Sequence, residues 1–147
     1  MSQFIIRQAE GKDATPISDL EKICFSQPWS YESIHHDIAE NKLAIYMVAE
    51  VDDKVVGYAG IWGIIDEGHI TNVAVLPEYR GQHVATLLLE NILKIGQSSG
   101  LTRYTLEVRK SNFPAIELYS NFQFKIVGER KGYYEDDGED ALIMWRE

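Results

Sequence analysis

The sequence predicts an α/β protein, a mixed and mostly antiparallel sheet of about seven strands with four helices, in a single domain over residues 1–147. Strand-like apolar runs and helix-like periodicities alternate along the chain. From Val73 to Leu89, an apolar strand, a Pro77-marked turn, an Arg80-Gly81 loop and an amphipathic helix follow one another with almost no gap. The chain is long enough for one domain with its own core, and no Gly/Ser-rich or Pro-rich linker divides it.

Phe4 to Ala9 reads as a short strand. Asp13 to Phe25 reads as a helix with Ile17, Leu20, Ile23 and Cys24 on its inner face, and Ser30 can cap a second helix running to about Asn41. Leu43 to Val51 and Val55 to Ile65 read as strands joined at Asp52-Asp53-Lys54 in a hairpin, and His69 to Leu76 completes the meander. The next helix turns Val84, Leu88, Ile92 and Ile95 inward and ends near Gly100, where a left-handed cap is easiest. Leu101 to Arg109 is a strand, Asn112 to Phe122 a short helix, and two final strands flank an acidic turn. A crossover helix between the His69 strand and the Leu101 strand makes those two parallel.

Composition narrows the function. A formal charge of −9 argues against nucleic acid as a direct partner, because binding it needs a basic surface, and favours a basic partner. The single cysteine, Cys24, excludes an intramolecular disulfide framework and is most simply a core residue. The N-terminal stretch from Met1 lacks the apolar run of a signal peptide, and no stretch approaches the length of a membrane helix, so a cytoplasmic protein with no membrane partner is expected. The four histidines offer no His-Glu-x-x-His, and no metal is expected.

The abrupt entry into the helix after Gly81 leaves backbone N–H groups unpaired at the positive end of a helix dipole, a cradle for phosphate or pyrophosphate. Neither Gly-x-x-x-x-Gly-Lys-Ser/Thr nor Gly-x-Gly-x-x-Gly is present, which removes the main support for nucleotide hydrolysis or dinucleotide binding. The loop Arg80-Gly81-Gln82-His83-Val84-Ala85 resembles the Arg/Gln-x-x-Gly-x-Gly/Ala signature of the Gcn5-related N-acetyltransferases (GNAT), with His83 in place of the middle Gly. His tolerates a positive φ at some cost and adds a bulky ring.

Three further segments resemble the RimI-type ribosomal-protein alanine N-acetyltransferases within that family. Leu106-Glu107-Val108-Arg109-Lys110-Ser111-Asn112, followed by Ala115-Ile116-Glu117-Leu118-Tyr119, is similar to their Leu-Glu-Val-Arg-x-Ser-Asn…Ala-Ile-x-Leu-Tyr segment. Phe25-Ser26-Gln27-Pro28-Trp29-Ser30 is similar to their Phe-x-x-Pro-Trp-Ser loop. Tyr133 to Ala141 is similar to their Tyr-Tyr-Pro turn, with Glu135 in place of Pro and one residue fewer.

The resemblance extends over the whole chain. It implies the GNAT fold, splayed at strands 4 and 5, and acetyl-CoA as co-substrate. Val73, Ala74 and Val75 would offer backbone to the pantetheine arm, and Gly81, Gln82, His83, Val84, Ala85 and Thr86 would hold the pyrophosphate. Glu107 would be the general base, Tyr119 the general acid and Asn112 a coenzyme A contact. Pro28, Trp29, Tyr134, Asp136 and Asp137 would flank the acceptor, the basic N-terminal segment of a ribosomal protein.

The residues by themselves allow plainer readings. Val73 to Val75 are buried strand residues, and Glu107 is a sheet-surface carboxylate paired with Arg109 or Lys110. Asn112 caps a helix, Tyr119 is a core tyrosine, Pro28-Trp29 is a structural turn, and the acid-rich Glu135–Asp140 run is a solvated loop. Two alternatives therefore stay open: acetylation of another protein N-terminus, a lysine or a small-molecule amine on the same fold, and a non-catalytic acyl-CoA-binding module. Glu107 and Tyr119 weigh against the second.

Overall fold

The computed structural model describes residues 4–147; Met1 to Gln3, part of the N-terminal stretch read for a leader, lie outside the described residues. Seven strands form one sheet in the order β1-β2-β3-β4-β5-β7-β6. They are β1 (Ile5–Gln8), β2 (Ala44–Val51), β3 (Lys54–Ile64), β4 (Glu67–Val75), β5 (Arg103–Arg109), β6 (Lys125–Arg130) and β7 (Ala141–Arg146). The helices are α1 (Ala14–Cys24), α2 (Tyr31–Ala39), α3 (Val84–Ser98) and α4 (Phe113–Asn121). Every strand pairing is antiparallel except β4 with β5.

Local chemistry sets the elements much as the sequence foretells. The β2–β3 hairpin turns through Asp52 and Asp53, both at positive φ (52° and 63°), a conformation that Asp tolerates better than most residues. Ser30 caps α2 by accepting from the Ser33 N–H at 3.1 Å, and Asn112 caps α4 by accepting from the Ala115 N–H at 3.3 Å. Alternate residues of β3 address opposite layers. A Cβ on Gly57 would meet Leu88 and Val84 of α3, whereas Tyr58 points to α1. Leu88, Leu89 and Ile92 are fully buried, each worth about 1.5–3 kcal/mol in removal from water.

The inner face of α1 differs from expectation. Ile17 and Leu20 are buried as the periodicity predicts, but Ile23 is 57% exposed and Glu21, a carboxylate, lies in the core. The reason is polar satisfaction: three hydrogen-bond donors surround Glu21, so burying it does not strand a charge. Asp37 of α2 is buried in the same way, accepting from Tyr46, Trp62 and Asn41 at 2.8–3.0 Å. Among the described residues no helix is long and apolar enough to cross a membrane.

Candidate active site

Strands β4 and β5 pair at only three positions, Glu67, Gly68 and His69 against Arg103, Tyr104 and Thr105. Beyond His69 they part. β4 continues along β3 to Val75, and β5 continues along β7 to Arg109, so the sheet opens as two halves. A bulge starts the divergence: Gly60 and Ile61 of β3 face Asn72 and Ile70, leaving Thr71 as an extra residue that bends β4. Gly60 makes the bulge possible, because a Cβ there would stand 2.7 Å from Thr71 Oγ1.

The opening holds a cleft of about 750 Å³ whose walls come from both halves of the sheet and from the loops above. The Leu76 N–H donates to Val56 O, so alternation turns the backbone of Val75 and Val73 away from β3 and into the opening. Ala74 presents its N–H and C=O to β3 instead. The Val75 carbonyl already accepts from Arg80 Nε at 3.3 Å and Cys24 Sγ at 3.5 Å, which leaves its N–H as the free group. Arg80 is thus a strut beneath the loop rather than an arm reaching into it.

At the C-terminal end of β4 the loop enters α3 as the sequence requires. His83 is the N-cap residue in the left-handed region (φ 64°, ψ 21°), and its side chain makes no cap bond. Gly81 also has positive φ (80°), with open space where a Cβ would sit. The first helical bond runs from the Leu87 N–H to His83 O, so the N–H groups of Val84, Ala85 and Thr86 precede it, as at any helix start. The buried Val84 side chain anchors that turn to the core. Because His occupies a conformation that costs a side-chain-bearing residue roughly 1–2 kcal/mol, His83→Gly is expected to keep or raise the melting temperature and, if the loop cradles the acetyl-CoA that the resemblance implies, to retain affinity for it. Thermal unfolding and calorimetric titration check both; a large loss of affinity would make the ring a ligand contact.

Glu107 lies on the cleft wall, its side chain 12% exposed, and takes a hydrogen bond from His69 Nε2 at 2.9 Å. An ionised carboxylate only accepts, so His69 carries the proton on Nε2. That bond outweighs burial and holds the Glu107 carboxyl below its usual range. Neither Arg109 nor Lys110 pairs with Glu107, which overturns the plain surface-pair reading: Arg109 binds Asp136, Asp137 and Glu139, and Lys110 binds Glu129. Opposite alternation along β5 sends Leu106 and Val108 to the core and Glu107 to the cleft.

Tyr119 of α4 is buried, packed edge-on against Phe124, and lines the cleft. Burial, with Tyr134 nearby, pushes its phenol well above the usual value. It is a core tyrosine with one side turned to the cleft.

Trp29, Val73, Glu107, Asn112, Tyr119 and Tyr134 line the cleft; Pro28, Ala74, Val75, Asp136, Asp137 and the Gly81–Thr86 loop do not. Asp136 instead ties the two loops above the cleft together, accepting from Ser26 and from Arg109. Three carboxylates gather on Arg109, whose guanidinium also stacks 4.0 Å from the Tyr134 ring centroid, so much of the acidic turn is neutralised internally. Ser26 first and then Arg109 lower the Asp136 carboxyl from the usual 3.8 to about 2. A depressed carboxyl contributes stability above its unfolded value that is lost as pH falls through the folded one. The tie is therefore expected to be complete above about pH 4 and to release towards pH 2, readable by carboxyl-carbon NMR titration of Asp136.

His69, Trp62 and the Thr71–Asn72 bulge are among the cleft residues that reading the sequence missed. A parallel register placing His69 opposite Thr105, two residues from Glu107, would have revealed the first, and register is not a local property. Among the described residues no group of three or more His, Cys, Asp or Glu side chains is placed to hold a metal ion.

A mixed sheet splayed between two parallel strands, a helix N-terminus at the end of one and a carboxylate on the other define an N-acetyltransferase architecture. The chain belongs to the acetyltransferase (GNAT) family, whose model matches residues 14–124. It is 41% identical over 140 residues to a Bacillus subtilis (strain 168) protein named as a candidate ribosomal protein bS18-alanine N-acetyltransferase, covering 95% of this chain and 93% of that one. It is 37% identical to an N-alpha-acetyltransferase of Saccharolobus solfataricus, covering 97% and 92%. The crystal structure of the ribosomal-protein-S18-alanine N-acetyltransferase from Escherichia coli superimposes with a TM-score of 0.89 at 28% identity, covering 97% of this chain and 92% of that one.

Proposed function

We propose that this protein transfers the acetyl group of acetyl-CoA to the N-terminal alanine α-amine of a small-subunit ribosomal protein by direct attack within a ternary complex. The observation that carries the reading is Glu107, a carboxylate kept ionised by His69 at the opening between β4 and β5, with Tyr119 on the same cleft. The names of the Bacillus subtilis and Escherichia coli relatives support the acceptor.

An amine attacks a thioester only when neutral. A protein α-amine with pKa near 7.7–8.0 is already roughly 10–20% neutral at pH 7, whereas a lysine would need about 3.5 kcal/mol more to reach the same state. A single carboxylate, directly or through a water, is a proportionate base for such a nucleophile. In this scheme the nitrogen bonds to the thioester carbonyl carbon, Glu107 takes the ammonium proton, the C–S bond breaks and Tyr119 donates a hydrogen bond to the departing sulfur. The free Val75 N–H is suited to the carbonyl oxygen as charge develops there, and the N–H groups of Val84, Ala85 and Thr86 to the pyrophosphate. Asn112, on the cleft wall at the start of α4, would meet coenzyme A.

Trp29 and Tyr134 would flank the acceptor, with Pro28 shaping the loop. A basic segment behind the first alanine suits the net charge of −9, while nucleic acid does not, and a cytoplasmic setting fits such a substrate. Because Arg109 neutralises part of the acidic turn, the salt dependence of peptide binding is expected to be modest, with Glu135, on the cleft wall, a remaining charge. The Saccharolobus solfataricus relative, an N-alpha-acetyltransferase whose name specifies no acceptor, favours a second reading on the same chemistry, acetylation of another protein N-terminus. Incubation with acetyl-CoA and peptides starting with Ala, Ser, Met or Glu, each with arginine or neutral residues behind, separates the two by mass. Acetylation confined to lysine side chains would remove both.

A further inference from the structure

Glu21 is fully buried between α1 and the sheet, in a position that the helix periodicity would fill with an apolar side chain. Three donors from three elements converge on its carboxylate. Oε1 accepts from the Trp29 backbone N–H at 2.8 Å; Oε2 accepts from the Tyr58 hydroxyl at 2.6 Å and the Asn72 amide at 2.8 Å. Trp29 belongs to the loop between α1 and α2, Tyr58 to β3, and Asn72 to β4 immediately past the Thr71 bulge. Trp29 and Asn72 both line the cleft, so one carboxylate spans from the loop above it to the strand beside it.

An apolar residue of similar volume would avoid the desolvation that burial imposes here, and such replacements are often neutral or stabilising. Stability alone is therefore a poor reason for a carboxylate at this position. The geometry supplies another. The ring of Trp29 packs edge-on against Trp62 at 6.1 Å, and Trp62 packs edge-on against His69 at 6.5 Å, the residue that holds Glu107. Moving the Trp29 backbone would therefore disturb the loop and the aromatic wall together.

We propose that Glu21 is a positioning residue for the acetyl acceptor, its carboxylate tying the Trp29 backbone to Asn72 and so fixing the loop against the opening of β4. This rests on the N-terminal acetyltransferase reading above. Its role is exerted through Trp29 and Asn72, without contact to substrate.

Glu21→Met in the full-length protein preserves apolar packing and removes all three acceptors. The expected result is a rise of roughly tenfold or more in peptide KM, with acetyl-CoA KM unchanged within about twofold. Glu21→Gln can accept from the Trp29 N–H through its oxygen while its amide meets the Tyr58 hydroxyl and a flipped Asn72, so it should bring peptide KM back to within about threefold of the unaltered protein. A merely structural carboxylate would change the melting temperature and leave both KM values alone in the folded variants, and that result overturns the proposal. If Glu21→Met does not fold, Glu21→Asp, which withdraws the carboxylate by one methylene, should show the same selective rise in peptide KM; an unchanged value there is equally fatal. A second readout is independent of any acceptor. In a Trp145→Phe background, the near-ultraviolet circular dichroism of the Trp29–Trp62 pair should collapse in Glu21→Met and return in Glu21→Gln. A retained signal sinks the proposal, whereas a lost signal in a protein that acetylates no N-terminal peptide sinks only the reading on which it rests.

Discussion

Glu107→Gln is expected to lower turnover by roughly 10²–10⁴-fold while leaving acetyl-CoA affinity nearly unchanged. The amide matches the carboxylate in size and still accepts from His69 Nε2 through its oxygen, so the cleft should keep its shape. What disappears is basicity. Single-turnover acetylation of an alanine-started peptide, with calorimetric titration of acetyl-CoA alongside, separates the two effects; unchanged turnover would return Glu107 to a structural part in the cleft wall. The pH profile adds a second measurement. Because the His69 bond keeps the Glu107 carboxyl below its usual 4.5, loss of the base with acid should fall below that value, and the rise of kcat/KM towards pH 8 should follow the amine. His69→Ala removes the bond that opposes burial, so the acid limb should move upward. The hydrogen bond's contribution to stability has the matching sign, present above 4.5 and lost as pH falls through the lower folded value of Glu107.

Tyr119→Phe is expected to lower turnover roughly ten- to hundredfold, the worth of one hydrogen bond to a developing charge. A larger effect is not expected, because a phenol near pKa 10 is a weaker acid than a thiol near 8.5 and full transfer runs uphill by about 2 kcal/mol, before burial adds to the imbalance. The ring packs against Phe124 and the substitution preserves that contact, so the melting temperature should move little. A tyrosine that serves packing alone would show no change in turnover. A thioester with a better leaving group should narrow the gap between the two proteins if the hydroxyl acts on the departing sulfur.

Much of the site was legible because its parts are local. Glu107 and Tyr119 sit in one strand and the helix after it, and the alternation of β5 already sends Glu107 away from Leu106 and Val108. The Gly81–Thr86 turn announced a helix N-terminus, and the doubt raised by His83 was answered in kind: the residue stands where φ must be positive. The acidic run between Glu135 and Asp140 misled in part. Its composition suggested a solvated loop, yet Arg109 folds into it and Asp136 ties it to Ser26 above the cleft. Ile23 misled too, since a periodicity that counts only apolar residues cannot know that Glu21 will find three donors.

By itself the sequence determined the order and type of the elements, the capped start of α4 and the left-handed turn into α3. Each depends on dihedral preferences, side-chain periodicity or capping over a few residues. The tertiary structure alone decided that the pairing of β4 with β5 ends after three residues, that His69 meets Glu107, that Arg109 turns to the acidic loop and that Glu21 joins α1 to Trp29 and Asn72. Those outcomes are contacts between residues far apart in the chain, fixed by strand register, by a bulge that needs the missing side chain of Gly60, and by the requirement that each buried polar group find its partner.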